Sequence, residues 1–392
     1  TNMSKTKIVI FSRGKVRKFP KFYLGNNEID VKDDYIYLGV TFNYNGSFKK
    51  AISKQIVQAR KAMFALLEKA RVLRLPVDIV CDLFNACVTP VLLYGAEVWG
   101  FENLREIEIF YRRFLRIVLK AYRFTPNCML YGETGTTDMA TKVKNRMINF
   151  WLKQKFCSHG KFSVVLCSLL SKLHTDTANT MHFKWCEKIQ NILNLSGFSS
   201  KWDENLLNVE LFKLEFQQRS NDIFIQTWND DIGKNSQCSN YVDFKKSHKM
   251  EKYLLLLDDS HKFNIAKFRM RVHHLPITNN RFSQDENVDV TCPLCCSGST
   301  GNEYHYLFEC NYFSESRTKM LPHHIQNYQV NSSSKWYDIF NSDRETLQKV
   351  ARFVKIVMNS FKYRKKIPQS PAKRQLVTRS GRNCKPVIKL NL

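Results

Sequence analysis

Residues 49–73 read KKAISKQIVQARKAMFALLEKARVL. Ile52, Ile56, Ala59, Met63, Leu66, Ala70 and Leu73 recur at three- and four-residue steps, the period at which one stripe of a helix faces a core. The spacing predicts a helix of about seven turns. Its other faces carry Lys49, Lys50, Lys54, Arg60, Lys61, Lys69 and Arg71. Upstream the pattern is that of strands, over residues 7–12, 22–29 and 35–42, with Gly25-Asn26-Asn27 and Asp33-Asp34 as breaks. Downstream it is helical. Pro76 starts a second helix through Ile79, Leu83, Phe84 and Cys87, which Pro90 ends or kinks. Residues 102–121, carrying Arg112, Arg113, Arg116 and Lys120, predict a third helix, and residues 138–156 a fourth. Residues 158–260 read as mostly helical, with polar connections at 196–200 and 233–240, and residues 346–363 as a closing helix. The expected class is α+β, mostly α, with a few short antiparallel strands.

A chain of 392 residues suggests two or three domains. Hydrophobic content of 43% and aromatic content of 13% are globular values, so most of it should fold. The 61 Lys+Arg against 35 Asp+Glu leave a formal charge of +26, a field that favours polyanions and makes binding salt-sensitive. The plain alternative is a soluble basic protein with solvated charged faces. No run approaches the ~20 apolar residues of a membrane span. No basic amphipathic segment stands beside an apolar anchor, so no membrane partner is expected. Thr1-Asn2-Met3-Ser4-Lys5 has no signal-peptide core and strand pattern begins by Ile8, so the chain is expected to be cut from something longer. Twelve cysteines without framework spacing suggest a reducing compartment. Cys81, Cys87, Cys157, Cys167 and Cys186 lie in apolar, helix-like contexts and read as core. Beyond residue 364, Lys365, Lys366, Lys373, Arg374, Arg379, Arg382, Lys385 and Lys389 face no acidic residue. That tail is expected to be disordered until it meets an anionic partner.

The sharpest chemical signal is Cys292-Pro-Leu-Cys295, followed after nine residues by His305 and after four more by Cys310. Three thiolates and one imidazole suit tetrahedral Zn²⁺, and Cys-x2-Cys lets one tight turn aim two sulfurs at one ion. Four protein ligands close the site, so the zinc would be structural. Cys296 is adjacent and can replace Cys295 only by breaking the two-residue spacing. Around the ligands, Tyr304, Tyr306 and Phe308 have two readings: aromatics that stack on unpaired bases, or the small core of the metal module. No Gly-x-Ser-x-Gly or His-Glu-x-x-His supports a hydrolase.

Several motifs follow one another in a familiar order. Asn2-Met3-Ser4-Lys5-Thr6-Lys7 precedes a strand. Tyr37-Leu38-Gly39-Val40 comes next, then Val88-Thr89-Pro90-Val91-Leu92-Leu93-Tyr94-Gly95-Ala96-Glu97-Val98-Trp99-Gly100. Tyr131-Gly132-Glu133-Thr134-Gly135, Ala266-Lys267-Phe268-Arg269-Met270-Arg271-Val272-His273-His274-Leu275-Pro276-Ile277 and the Cys/His cluster with Glu303, Tyr312 and Arg317 complete the series. Together they resemble the C-terminal part of a non-LTR (LINE-type) retrotransposon reverse transcriptase over residues 1 to about 320. The resemblance implies a partial palm over 1–48, a helical thumb over 49–135 and a helical linker region over 136–260. A CCHC zinc-knuckle region over 261–325, a C-terminal helical segment over 326–364 and a basic tail over 365–392 would follow. It places Lys5 and Lys7 in the palm's lysine-bearing segment and Tyr37, Leu38 and Gly39 in the primer-grip hairpin, where a residue without Cβ lets backbone approach a primer end. The plain readings are a solvated strand edge for Lys5 and Lys7 and a strand terminus for Tyr37-Leu38-Gly39. Lys49, Lys50, Lys54, Arg60 and Lys61 would lie along a phosphate backbone.

The implied partners are template RNA, RNA–DNA hybrid or primer DNA, and the upstream palm and fingers of the parent polyprotein, in nucleus and cytoplasm. Mg²⁺ would serve the parent polymerase only. Its aromatic-x-Asp-Asp hairpin precedes the Lys-Thr-Lys segment in the family and is absent from this chain, which is therefore expected not to polymerise. Asp33-Asp34, Asp230-Asp231 and Asp258-Asp259 are expected in turns or caps. The alternative function is a non-enzymatic zinc-knuckle protein, derived from a retrotransposon, that binds nucleic acid or another protein.

Overall fold

The computed structural model describes residues 6–12, 20–157, 161–175, 183–204, 207–281, 289–295, 297–323 and 332–362. Lys5, Cys296 and the basic tail lie outside the described residues. The fold is mostly helical with two small antiparallel sheets. Residues of Thr1–Val272 and Asn327–Gln348 make one compact unit, and those of His273–Gln326 and Lys349–Leu392 a second.

The strand expectations need correction. Residues 22–29 and 35–42, each read as one strand, are each doubled back into a hairpin. In the first, β1 (Phe22–Leu24) pairs with β2 (Asn27–Ile29). In the second, β3 (Asp34–Tyr37) pairs with β4 (Val40–Asn43), with Tyr37 opposite Val40. A two-residue turn keeps the alternation of side chains running across it, so a hairpin imitates one longer strand. At the second turn Leu38 (φ 45°) and Gly39 (φ 81°) both take positive φ, as a two-residue hairpin turn requires. Residues 7–12 form no strand. Ile8 makes only an isolated parallel bridge to Val31, because no longer strand runs beside it.

The helical expectations fare better. α1 (Lys49–Val72) buries Ile52, Ile56, Ala59, Met63 and Ala70 as the spacing requires. Next, α2 (Val77–Leu83) passes through a π-turn at Phe84–Val88 into α3 (Thr89–Leu92). Pro90 sits just beyond that wide turn, which accommodates its missing N–H. α4 (Ala96–Trp99) and α5 (Arg105–Leu119) follow, and Phe84 of the π-turn stacks on Phe114 of α5. α6 (Asn127–Thr134) leads to α7 (Met139–Leu152), whose N-cap Asp138 accepts from the N–H of Thr141. The helices α8 (Phe162–Thr175), α9 (Lys184–Leu195) and α10 (Val209–Lys234) come next. Asp230 and Asp231 lie within the last turns of α10, not in a turn or cap as expected. α11 (Tyr241–Phe244), α12 (Lys252–Leu256), α13 (Asp259–Arg269), α14 (Ser314–Met320), α15 (Ser332–Phe340) and α16 (Arg344–Lys362) complete the chain.

A buried ionic network ties the first unit together. The Arg269 guanidinium donates from Nε and Nη2 to the Glu133 carboxylate at 3.0–3.2 Å. Its Nη2 also lies 3.0 Å from Glu251, which in turn pairs with Lys245. The Tyr253 hydroxyl donates to Glu133. The rings of Phe244 and Phe340 lie 4.5 and 4.9 Å from the guanidinium. Burial strips Arg269 of water, yet Glu133 and Glu251 hold its pKa above the ordinary value. Two glycines bring these groups together. A Cβ on Gly132 would stand 2.5 Å from the Tyr241 hydroxyl, and one on Gly135 (φ 62°) 2.4 Å from the Met250 nitrogen. The backbones of Thr134 and Met250 can thus bridge, and Glu251 N–H reaches the Glu133 carbonyl.

Removing one partner of such a pair leaves a bare buried charge. Arg269→Met should therefore lower stability by about 3–5 kcal/mol in urea unfolding. The double change Glu133→Gln/Arg269→Met should recover part of that loss. A single-variant loss below about 1 kcal/mol would mean that the pair is dispensable.

Candidate functional site

In the second unit the four predicted ligands converge. The donor atoms of Cys292, Cys295, His305 and Cys310 all lie within 4.8 Å of one another. The Cys292 and Cys310 sulfurs are 3.9 Å apart, and Cys295 Sγ is 3.3 Å from His305 Nε2. A tetrahedral ion with bonds of ~2.3 Å to sulfur sets its sulfurs about 3.8 Å apart, so the group fits one metal ion. Among the described residues no second such group is present.

Local backbone explains the convergence. Thr291 and Thr300 form an antiparallel bridge, the Cys292 N–H donates to the Ser299 carbonyl, and Gly298 turns the chain with φ 73°. This short hairpin presents Cys292 and Cys295. The other two ligands sit at either end of one π-turn, His305–Glu309, closed by Cys310 N–H donating to the His305 carbonyl at 2.7 Å. Arg317 clamps that turn by donating to the carbonyls of Leu307 and Cys310. The Glu309 carboxylate stands 3.4 Å from His305 Nδ1, which has no hydrogen-bond partner. Glu303 and His273, buried together at 3.0 Å, join the metal loop to the segment before it.

The Ser297 hydroxyl draws the Cys295 thiol down to about 6. Burial pushes Cys310 up to about 12, a cost that a bound cation reverses by stabilising the thiolate. Of the two readings of the aromatics, Tyr306 belongs to the core. Its side chain is fully buried against Phe313 and Phe361. Tyr304 and Phe308 are half-buried, with ring centres 4.9 Å apart, while Tyr312 is exposed.

In the first unit the β3–β4 hairpin offers a different surface. Tyr37 and Leu38 at its tip are 60% and 73% exposed. The tip is held from below: the Tyr94 hydroxyl donates to the Leu38 carbonyl at 2.8 Å, and a Cβ on Gly39 would meet the Tyr94 ring at 3.2 Å. Gly39 therefore serves the turn and the Tyr94 contact. Gly95 (φ 72°) lies equally close to Val40, and Trp99 Nε1 donates to the Tyr94 carbonyl.

The predicted cations divide into two groups. Lys7 pairs with Asp30, Lys50 pairs with Asp34, and Lys54 donates to the Thr41 hydroxyl. Lys50 holds the Asp34 carboxyl below its ordinary range. The two ion pairs are exposed and screened by water, so they yield readily to a stronger anion. Lys49, Arg60 and Lys61 are exposed and make no ion pair among the described residues. Val57 and Phe64, exposed on the same stripe of α1, were missed at the sequence level, and Arg113 of α5 stands 5.9 Å from the Phe64 ring. The signal was there: positions 57, 61 and 64 share a helix face, but apolar residues on a basic face were not counted as surface.

The Asp-Asp pairs form no metal group. Asp34 is paired with Lys50, Asp258 caps α13 by accepting from Ser260 and His261, and Asp259 pairs with Lys262. No helix is long and apolar enough to cross a membrane among the described residues. Comparisons with family models, curated proteins and solved structures yield no match.

The donor geometry leads to a direct check. Titrating the metal-free chain with Co²⁺ under reducing conditions should give the visible absorption of a tetrahedral sulfur-rich site, saturating near one ion per chain. Cys292→Ser/Cys310→Ser should abolish it. An unchanged spectrum in that variant would place the metal elsewhere.

Proposed function

We propose that this chain is the C-terminal part of a LINE-type reverse transcriptase, holding template RNA and primer DNA around a chemistry supplied by upstream palm residues. The observation that supports this reading best is that its short motifs need one another. Leu38 and Gly39 are held by Tyr94 and Gly95. Glu133 of the Gly-Glu-Thr-Gly segment is bound by Arg269 of the Ala-Lys-Phe-Arg segment. His273, four residues further on, is bound by Glu303 beside the metal ligands. Chance matches scattered over 300 residues have no reason to touch in pairs.

In this reading the exposed stripe of Lys49, Val57, Arg60, Lys61 and Phe64 tracks a phosphate backbone, and the exposed tip at Tyr37 and Leu38 meets the primer end. Zn²⁺ is the ion for the three thiolates and one imidazole. Cys292, Cys295, His305 and Cys310 would hold it, and its charge would keep two buried sulfurs ionised.

The chain should bind RNA and RNA–DNA hybrid with affinity falling by roughly 10³ or more between about 50 and 200 mM salt, if six or more phosphates are neutralised. Lys49→Glu/Arg60→Glu/Lys61→Glu should lower the slope of log affinity on log salt by about two to three. The control is Lys172→Glu/Lys184→Glu/Lys234→Glu, three exposed positions on other helices. Equal weakening by both triples would leave only the whole-chain field and sink the α1 surface. The same preparation should extend no primer with Mg²⁺, and template-dependent incorporation above a heat-killed control would overturn that part.

A further inference from the structure

Cys128 and Cys238 are 110 positions apart, yet their sulfurs lie 3.5 Å from each other. Both are buried, at 6% and 0% exposure. The contact is held from several sides. Trp228 Nε1 donates to the Cys128 carbonyl at 2.8 Å. One residue on, the Tyr241 hydroxyl lies 3.5 Å from the Met129 carbonyl. Cys238 ends a short turn, Ser236–Cys238, closed by its own N–H on the Asn235 carbonyl.

From this arrangement we infer that Cys128 and Cys238 are a built dithiol that closes to a disulfide when the chain meets a hydroperoxide. The sulfurs must approach by only about 1.5 Å to reach bonding distance, which side-chain rotation can supply. Access is the second requirement, and it is met on one side. Cys128 lines a cavity of about 420 Å³ with Asn127, Tyr131, Trp228 and Asp231, roomy enough for a molecule the size of hydrogen peroxide.

The roles of the two sulfurs differ. Cys128 is the second residue of α6, where helix N–H groups favour a thiolate. The hydrogen bond from Cys238 lowers the Cys128 pKa further. By contrast, burial pushes Cys81 up to about 12 and Cys186 up to about 11, so those thiols stay inert. The Cys128 thiolate attacks one peroxide oxygen, the O–O bond breaks, and hydroxide leaves, giving a sulfenic acid. The Cys238 sulfur then attacks Cys128 Sγ, the S–O bond breaks, and water leaves with the Cys238 proton. Each peroxide thus takes two electrons from the pair, and a reducing thiol reverses the change.

The test uses the full chain loaded with zinc and treated with increasing hydrogen peroxide. Free thiols are then alkylated and the chain digested without reductant for mass spectrometry. The expected product is a Cys128–Cys238 linked peptide that disappears with dithiothreitol and forms while zinc is retained. In Cys238→Ser the first step should remain, so dimedone should label Cys128. The oxidised wild type should also melt higher, by roughly 5 to 10 °C. Zinc release with Cys128 and Cys238 still alkylated would overturn the proposal. So would Cys128 linked to other cysteines as often as to Cys238. Because the peptide map is read on the unmodified sequence, a variant that fails to fold leaves the outcome decidable.

Discussion

The interaction on which the first unit rests is the bond between Glu133 and Arg269. Both side chains are fully buried; Arg269 Nε and Nη2 meet Glu133 and Glu251, Tyr253 donates to Glu133, and the Arg269 guanidinium, whose Nη1 has no hydrogen-bond partner, lies against aromatic faces. A buried ion pair of this kind adds little net stability over an apolar pair of similar shape. Its importance lies elsewhere. Bringing a carboxylate and a guanidinium out of water is tolerable only in one register, so the pair selects that register. α6, the segment leading into α12, and α13 must then meet in one way. Gly135 is the steric condition for that meeting, since a side chain there would push the Lys249–Met250 backbone away, while Gly132 leaves room for the Tyr241 hydroxyl.

The same logic recurs on smaller scales. Tyr94 fixes the tip of the β3–β4 hairpin by a hydrogen bond to Leu38 and by contact with the flat face that Gly39 leaves open. In the second unit Arg317 and Asn302 satisfy the ends of the π-turn that carries His305 and Cys310. In each case a polar side chain meets backbone groups that would otherwise be unpaired. The hairpin tip and the Cys/His cluster are positioned by these contacts, whereas the exposed cations of α1 follow from its buried apolar stripe.

Much of this was legible in the residues. The buried stripe of α1 follows its three- and four-residue spacing, and the proline at position 90 marks a real irregularity of the helix. The convergence of Cys292, Cys295, His305 and Cys310 into a group that could hold an ion was legible because coordination chemistry limits ligand types and spacing sharply. The hairpins were not, since alternation survives a two-residue turn and Leu38 is a poor herald of positive φ. Asp230 and Asp231 were misplaced because polar residues near a helix end resemble a connection. The pairing of Glu133 with Arg269 was beyond reach as well. Nothing local in either stretch announces a partner 136 residues away, and a Glu in a short polar motif reads as surface.

That separation has a consequence for the chain as it is made. A ribosome adding about 5–20 residues per second delivers Arg269 some 7–27 seconds after Glu133. During that interval α6 cannot bury its carboxylate, so the early helices must wait, hydrated and incompletely packed, for a cation not yet synthesised. The metal loop behaves in the opposite way. Its four ligands fall within nineteen positions of one another, so an ion can be captured almost as soon as the loop emerges. Only the packing of Tyr306 and Phe313 is deferred, until Phe353 and Phe361 of the last helix arrive. One unit is assembled late around a distant charge, the other early around a local one.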